Sequence, residues 1–365
     1  MNPDFHHSLS VVRQGIAEGL HPGAQLYISL HNQVLLDTSI GEARPGVPMT
    51  PDSLNLWFSS TKPIAAIAIA QLWERGLLEL DDPAVRFIPE FGQNGKESIT
   101  LRHLLTHTAG FRTPPRSEKE PWDKIIAEMC AARQETGWTP GQKAGYHVAS
   151  SWYILAEIIR RLDGRPYSRY VRDAIFQPLG MKDSWIGMTS EAFLAYGSRI
   201  ALMQDTTKSP AEPLDMESIA TTCRPGSGGF GPIRELGKLY EMLLRRGRIE
   251  ESVLSPQSVE ALTARHRAGM FDATFKAQMD WGLGFLLNSP QPQEELPYGY
   301  GPRASPRAFG HGGAQSSGAF CDPESGLVVA YVFNGRPGEA KHNERRKGLM
   351  LAIRDDLNDG SIPHA

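Results

Sequence analysis

The chain has 365 residues, of which 40% are hydrophobic and 22% are charged, as is typical of a globular protein with a sizeable core. Its length suits one large domain or two interleaved lobes. The formal net charge of −3 gives no reason to expect nucleic acid or an anionic membrane as a partner, and three widely separated cysteines without a C-x-x-C pair argue against a disulfide framework or a zinc knuckle.

The N-terminal part of the chain predicts a helix, a hairpin and a buried helix. Residues 1–15 lack the basic start and apolar run of a secretory signal, so we expect a cytoplasmic protein. Residues 6–20 place apolar side chains on one face of a helix. Two β-rich runs flank His31 and Asn32 and predict a hairpin. The apolar run 62–77 predicts a buried helix that is too short to span a bilayer.

The rest of the chain predicts helices and loops to about residue 268, and strands again after Asp280. There the sequence DPESG predicts a turn between two strands, and residues 341–357 predict an amphipathic helix. We therefore expect an α+β fold, with an antiparallel sheet flanked by helices, built from N- and C-terminal segments around an inserted, mostly helical lobe. The predicted units are an α/β lobe (1–80 with 275–365) and a helical lobe (81–274). We expect the active site between them.

The sequence SSTKP, residues 59–63, stands at the start of the predicted buried helix. Residues three apart share a helix face, so Lys62 brings its amine over the Ser59 hydroxyl, whereas Ser60 has Pro63 at that position. A serine nucleophile needs a base within reach, and a lysine can be that base if burial lowers its pKa from about 10.4 toward neutrality. The spacing favours Ser59 as the nucleophile, although a serine before an apolar helix can also be only a cap.

Several other segments, together with S-x-x-K, resemble the serine hydrolase superfamily of β-lactamases and penicillin-binding proteins. The segments LRHLLTHTAGF (101–111), PGQKAGYHVASSWYILAEII (140–159) and FGHGGAQSSGAFCDPESGLVVAYVFN (309–334) are similar to its motifs and occur in its order. The similarity runs from about Gly23 to Asn334. Within the superfamily, the chain resembles the class C β-lactamase-like esterases known as family VIII carboxylesterases. The resemblance implies a fold like that of the β-lactamases.

The resemblance also implies roles for individual residues. Ser59 and Lys62 take the S-x-x-K positions, and Tyr146 takes the tyrosine that exchanges protons with the serine and the leaving group. These three residues form a coupled set without a single proton assignment. The backbone N–H groups of Ser59 and Ala314 would form the oxyanion hole.

The third family motif and one neighbouring position depart from the penicillin-recognising members. The K-T-G motif appears here as His311-Gly312-Gly313, whose small residues let a strand edge pass close to the substrate. His311 replaces the lysine that would pair with a substrate carboxylate, and an imidazole holds an anion less reliably. Val148 stands where related members have an asparagine that binds an acylamino group. Both changes favour neutral carboxylic esters over β-lactams or peptidoglycan peptides.

We therefore expect a serine hydrolase, specifically a carboxylesterase that acts on small-molecule esters through an acyl-enzyme on Ser59. We expect no cofactor and no metal. The alternatives left open are a β-lactamase or D-amino peptidase, acyl transfer to an alcohol acceptor, and a catalytically idle ligand sensor. The oligomeric state is not predicted.

Other patterns have structural explanations. His103 and His107 have the spacing of zinc ligands on a helix, but H-E-x-x-H and a third ligand are missing, so we expect structural histidines. Residues 226–231, GSGGFG, match G-x-G-x-x-G without a preceding buried strand, which favours a glycine turn into a helix over a dinucleotide site.

Four aromatic or imidazole side chains could contact a substrate. We expect His147 on the surface or at a pocket rim, because a lysine–tyrosine pair makes a triad histidine unnecessary. Trp281, Tyr298 and Tyr300 are equally compatible with lining a pocket and with covering the core or a loop.

Overall fold

The long strands lie near the two ends of the chain, and the strands between them are only two or three residues long. In this computed structural model, residues 3–113, 120–289 and 296–359 are described. Their strands are β1 (Gly23–Leu30), β2 (Gln33–Arg44), β3 (Val47–Pro48), β4 (Asn55–Leu56), β5 (Trp185–Ile186), β6 (Gln204–Asp205), β7 (Glu212–Pro213), β8 (Gly229–Gly231), β9 (Phe271–Asp272), β10 (Ala277–Gln278), β11 (Asp280–Trp281), β12 (Leu286–Leu287), β13 (Phe309–Gly313), β14 (Ser317–Asp322), β15 (Leu327–Phe333) and β16 (Gly335–Arg336).

Both ends of the chain contribute to one antiparallel sheet. Within the described ranges it has eight strands in the order β11-β12-β13-β14-β15-β1-β2-β3. β15 pairs with β1, with Ile28 opposite Val329. The predicted hairpin is confirmed, because β1 and β2 meet at His31 and Asn32, both of which have the positive φ that tight hairpin turns require. The predicted turn between two strands is confirmed between β14 and β15.

Helices cover both faces of this sheet. They are α1 (His6–Ala17), α2 (Lys62–Glu74), α3 (Leu101–Leu105), α4 (Trp122–Ala131), α5 (Ser150–Asp163), α6 (Tyr167–Val171), α7 (Ser190–Tyr196), α8 (Met216–Thr221), α9 (Ile233–Leu244), α10 (Pro256–Thr263) and α11 (Glu339–Asp359). On one face, α1 and α11 pack together over side chains such as Val329 and Phe333. On the other, α9 and the buried helix α2 share a core with Val328 and Val332. Strand residues alternate between the two cores, as the two-residue period of a strand requires.

The predicted fold class is confirmed by this arrangement of an antiparallel sheet from both chain ends with helices between. The lobe boundaries remain a prediction. Helix α9, which falls inside the predicted helical lobe, packs against β1, β14 and β15. Among the described helices, none combines the length and the apolar character needed to cross a membrane.

Candidate active site

Ser59 opens a short 3₁₀ turn, Ser59–Thr61, that runs directly into α2. One turn later, Lys62 Nζ lies 2.9 Å from Ser59 Oγ, as the spacing predicts. The preceding residue, Phe58, has a φ of 47°, an unfavourable value for a residue with a side chain. Such local strain is often found at functional sites, and Phe58 directly precedes Ser59.

Lys62 is completely buried beneath Ser59. Its Nζ also donates to the carbonyl oxygen of Gly226 at 2.8 Å and lies 5.0 Å from the centre of the Tyr146 ring. Gly226 belongs to the glycine-rich segment GSGGFG, and a Cβ there would lie only 2.9 Å from the Trp152 ring. The glycine therefore lets the backbone approach closely enough to bind Lys62.

Tyr146 completes the group around Ser59. Burial raises the pKa of Tyr146 well above its usual range, and its hydrogen bond to Ser59 opposes that increase. The ring packs between His107, at 4.5 Å between centroids, and Phe275, at 4.9 Å. In the resting site the tyrosine is therefore a phenol in a defined position.

A buried ion pair holds the backbone of Tyr146. Asp272 accepts hydrogen bonds from the backbone N–H groups of Tyr146 (3.0 Å) and Phe275 (3.1 Å) and from the Arg267 guanidinium (2.8 Å). Both side chains of the pair are almost fully buried, and burial lowers the pKa of Arg267. No motif or spacing marks Asp272 in the sequence, because it meets Tyr146 only through the fold.

His311, Gly312 and Gly313 lie on β13, beside the turn that carries Ser59. A Cβ on Gly313 would lie 2.2 Å from the Trp57 carbonyl oxygen, so only glycine allows this approach. Burial and the nearby Lys62 charge lower the pKa of His311 to about 3. The imidazole is therefore neutral near pH 7, with Nδ1 lying 2.7 Å from the Gly312 carbonyl oxygen.

The two predicted oxyanion-hole residues both line the cavity at this site. Among the described residues, the backbone N–H groups of Ser59 and Ala314 have no acceptor in the protein. The loop after Ala314 is held by Gln315, whose N–H donates to Tyr298 Oη (3.2 Å) and whose carbonyl oxygen accepts from Arg345 (3.0 Å). The sequence gives no signal for the contribution of Arg345.

The cavity has a volume of about 200 Å³. Its polar side chains are those of Ser59, Tyr146, Thr274, His311 and Glu339, and the small residues Gly312 and Ala314 also line it. Its apolar and aromatic lining consists of Val148, Phe275, Met279, Trp281, Leu286 and Tyr298. Gly313 lies behind this surface, against Trp57. Trp281 and Tyr298 thus contact the cavity, whereas Tyr300 is buried and donates to the Leu286 carbonyl oxygen.

His103, His107 and His147 each hold backbone groups of the fold. The prediction that His147 lies at a surface or rim is wrong, because its side chain is fully buried and accepts hydrogen bonds from the backbone of Gly110 and Phe111. Burial lowers its pKa to about 3. His107 Nδ1 accepts from the backbone N–H of His147 at 2.9 Å, and His103 belongs to the N-terminal cap of α3.

One group of side chains has metal-like spacing in the described part of the chain. His6, His7 and Asp356 bring one ligand atom each within 4.8 Å of one another, where α1 meets α11. Asp356 already accepts hydrogen bonds from the backbone N–H groups of His7 and Ser8, which explains its burial without an ion. The candidate active site is a separate group of residues.

Comparisons with known proteins identify the family of the chain. The model of the beta-lactamase family matches residues 10–353. Esterase/beta-lactamase LipL of Mycobacterium tuberculosis (strain ATCC 25618 / H37Rv) is 25% identical over 342 residues, which cover 86% of this chain and 77% of LipL.

Solved structures show the same fold. A penicillin-binding protein homolog from Caulobacter crescentus is 30% identical, with a TM-score of 0.82 over 97% of both chains. A family VIII carboxylesterase is similar in fold, with a TM-score of 0.79, 24% identity and 97% of both chains covered. The predicted superfamily is confirmed. The chain belongs to the beta-lactamase family and is a serine hydrolase.

Proposed function

We propose that this protein is a carboxylesterase that hydrolyses carboxylic esters with short acyl chains through an acyl-enzyme on Ser59. The observation that carries the proposal is the 2.9 Å contact between Lys62 Nζ and Ser59 Oγ beside a largely apolar cavity. A hydroxyl next to a buried amine is a recurring arrangement for activating a serine nucleophile. The cavity volume of about 200 Å³ supports short acyl chains.

Acylation starts with attack by Ser59 Oγ on the ester carbonyl carbon, while unprotonated Lys62 accepts the hydroxyl proton. The N–H groups of Ser59 and Ala314 donate to the oxyanion that forms. Because burial favours the phenol form of Tyr146, Tyr146 donates a proton to the alcohol oxygen as the carbon–oxygen bond breaks. Lys62 then returns a proton to Tyr146, so the pair ends as it began.

Deacylation repeats these steps with water. A water molecule attacks the acyl carbon and gives its proton to the Lys62–Tyr146 pair. The bond to Ser59 Oγ breaks, the serine regains a proton, and the carboxylic acid leaves. The same residues therefore serve both halves of the reaction.

Two positions support neutral esters as substrates. His311 is uncharged near pH 7, so it offers no cation for the carboxylate of a β-lactam or a peptide. Val148 lines the cavity with a side chain that cannot hydrogen-bond to an acylamino group.

The test is hydrolysis of short-chain p-nitrophenyl esters by the wild-type protein and by Ser59→Ala. We expect Ser59→Ala to lose activity by about 1000-fold or more, because the nucleophile acts only as part of the site. Ser60→Ala, one residue away, is expected to keep most of the activity. Full activity in Ser59→Ala would rule out this mechanism.

Hydrolysis of β-lactams is a second candidate, because the relative LipL is named both an esterase and a beta-lactamase. It would use the same acyl-enzyme. Turnover of nitrocefin at rates comparable with those of the esters would favour it, and the neutral His311 leads us to expect much slower turnover.

A further inference from the structure

The cavity beside Ser59 is lined by a single acidic side chain among the residues that the structure describes. That residue is Glu339, the first residue of α11. His311 lines the same cavity but is neutral there, and Lys62 lies beneath Ser59 and Tyr146 and is fully buried. Glu339 is an exposed residue, and a carboxylate at such a position attracts positive charge most strongly at low ionic strength.

The Glu339 carboxylate is fixed in position. Tyr298 Oη lies within hydrogen-bonding distance of both carboxylate oxygens, at 3.1 and 2.9 Å, and donates to them. Tyr298 is itself held by Gln315, the residue after Ala314, and its ring packs onto the face of Gly312. The charge is therefore tied to the same loop that would form the oxyanion hole.

A guanidinium that contacts the cavity lining is paired with another carboxylate. Arg112 donates to Thr274 Oγ1 at 2.9 Å, but its guanidinium also makes a two-pronged ion pair with Glu135. Another guanidinium, that of Arg336, stacks on Phe58 at 5.4 Å and does not line the cavity.

Aromatic rings add a second attraction for positive charge. Phe275 and Tyr298 meet edge to face at 6.1 Å, and Trp281 lines the same cavity. Ring faces attract ammonium groups, most strongly when the cation is partly removed from water. A carboxylate next to aromatic faces is a chemistry that recognises an organic cation.

We propose that Glu339 makes this site select esters by charge, so that an ester with an ammonium group is preferred over its uncharged isostere and an anionic ester is the poorest substrate. The proposal rests on the proposed esterase function and specifies its substrate class. Glu339 acts here on binding and specificity, and it takes no part in the chemical steps at Ser59.

The test compares esters of matched shape and different charge. One series has the charge on the alcohol: butyrylcholine, its carbon isostere 3,3-dimethylbutyl butyrate, and a butyrate ester of a hydroxy acid. A second series has it on the acyl group: the ethyl ester of a trimethylammonio acid, its tert-butyl isostere, and the monoethyl ester of a dicarboxylic acid. Acid release in a pH-stat gives kcat/KM for each at low and high ionic strength.

For the wild-type protein we expect the cationic ester of at least one series to exceed its neutral isostere about fivefold at low ionic strength, and salt to reduce that ratio. Glu339→Gln is expected to bring the ratio close to one, since glutamine can still accept the Tyr298 hydrogen bond. Tyr298→Phe removes that bond but keeps the charge, and Glu344→Gln removes an exposed charge elsewhere on α11. Both controls should retain a preference for the cation.

Equal rates for cationic and neutral esters in both series would overturn the charge selection and leave the esterase proposal standing. A preference for the cation that persists in Glu339→Gln would also overturn the role of Glu339. If Ser59-dependent hydrolysis of the neutral esters is itself absent, the proposed esterase function fails first, and the selection fails with it.

Discussion

The two adjacent serines at the start of α2 have different surroundings, although they differ by one position in the sequence. Ser59 faces the cavity and contacts Lys62. Ser60 is fully buried, and its hydroxyl lies 3.1 Å from the His311 carbonyl oxygen and 3.0 Å from Ser317 Oγ. It therefore joins the turn that carries the proposed nucleophile to β13 and β14.

Ser60→Ala tests this division of roles. We expect the free energy of unfolding to fall by about 1–2 kcal/mol, because the substitution removes a buried hydrogen-bond partner. The rate of ester hydrolysis should stay within a few-fold of the wild-type rate. Urea unfolding and a p-nitrophenyl ester assay on the same preparation measure the two effects. Wild-type stability would contradict the structural role, and a loss as large as that of Ser59→Ala would contradict the choice of nucleophile.

The sequence predicts contacts that lie within one helical turn much better than contacts made by the fold. Ser59 and Lys62 are three residues apart, and their contact follows from helix geometry alone. Tyr146 and Ala314 could be placed only through the family resemblance. Arg345, which holds the loop after Ala314, lies on a helix whose polar residues give no sign of their partner.

At the scale of elements, the position of Tyr146 depends on a segment more than a hundred residues away. Asp272, on β9, binds the backbone of Tyr146 and pairs with Arg267 in the interior. The β9–β10 hairpin thus supports both the tyrosine and the adjacent Phe275, which lines the cavity. This hairpin lies between the helices and loops predicted to about residue 268 and the strands predicted after Asp280, and it is not predicted because two-residue strands leave no periodic pattern.

Asp272→Asn tests this support. We expect a loss of about 3–5 kcal/mol in the free energy of unfolding, because it leaves the buried Arg267 without its counter-charge. We also expect kcat for ester hydrolysis to fall at temperatures where the variant is folded, because Tyr146 loses its anchor. The matched control is Asp81→Asn, which breaks the more exposed pair with Arg102 and should cost at most about 1 kcal/mol. Equal stability losses in the two variants would contradict the argument.

At the scale of the whole molecule, the sequence shows which residues are apolar and how they repeat along the chain. This pattern is enough to predict a sheet built from both chain ends. It does not specify which surface each helix covers. Helix α9 is amphipathic, and only the fold places its apolar face on β1, β14 and β15. The sequence also does not show which single polar residues are buried, as the wrong prediction for His147 illustrates.

These buried histidines predict how the stability of the whole molecule depends on pH. Burial lowers the pKa of His21 to about 2, and those of His147 and His311 to about 3. In the unfolded chain a histidine has a pKa of about 6.5. Above that pH both states are neutral and the stabilisation is fully present. As the pH falls below it, the unfolded chain binds protons that the folded protein cannot, so the protein loses stability until the folded pKa is reached.

Urea unfolding between about pH 6.5 and about pH 5, above the range where most carboxylates titrate, measures this dependence. Each buried neutral histidine should contribute a decrease that approaches about 1.4 kcal/mol per pH unit. His147→Gln should therefore reduce the slope of the unfolding free energy against pH by about the contribution of one histidine. Glutamine can accept the same backbone hydrogen bonds without titrating. A slope that is the same in His147→Gln as in the wild-type protein would show that the buried imidazole is not what makes the fold sensitive to acid.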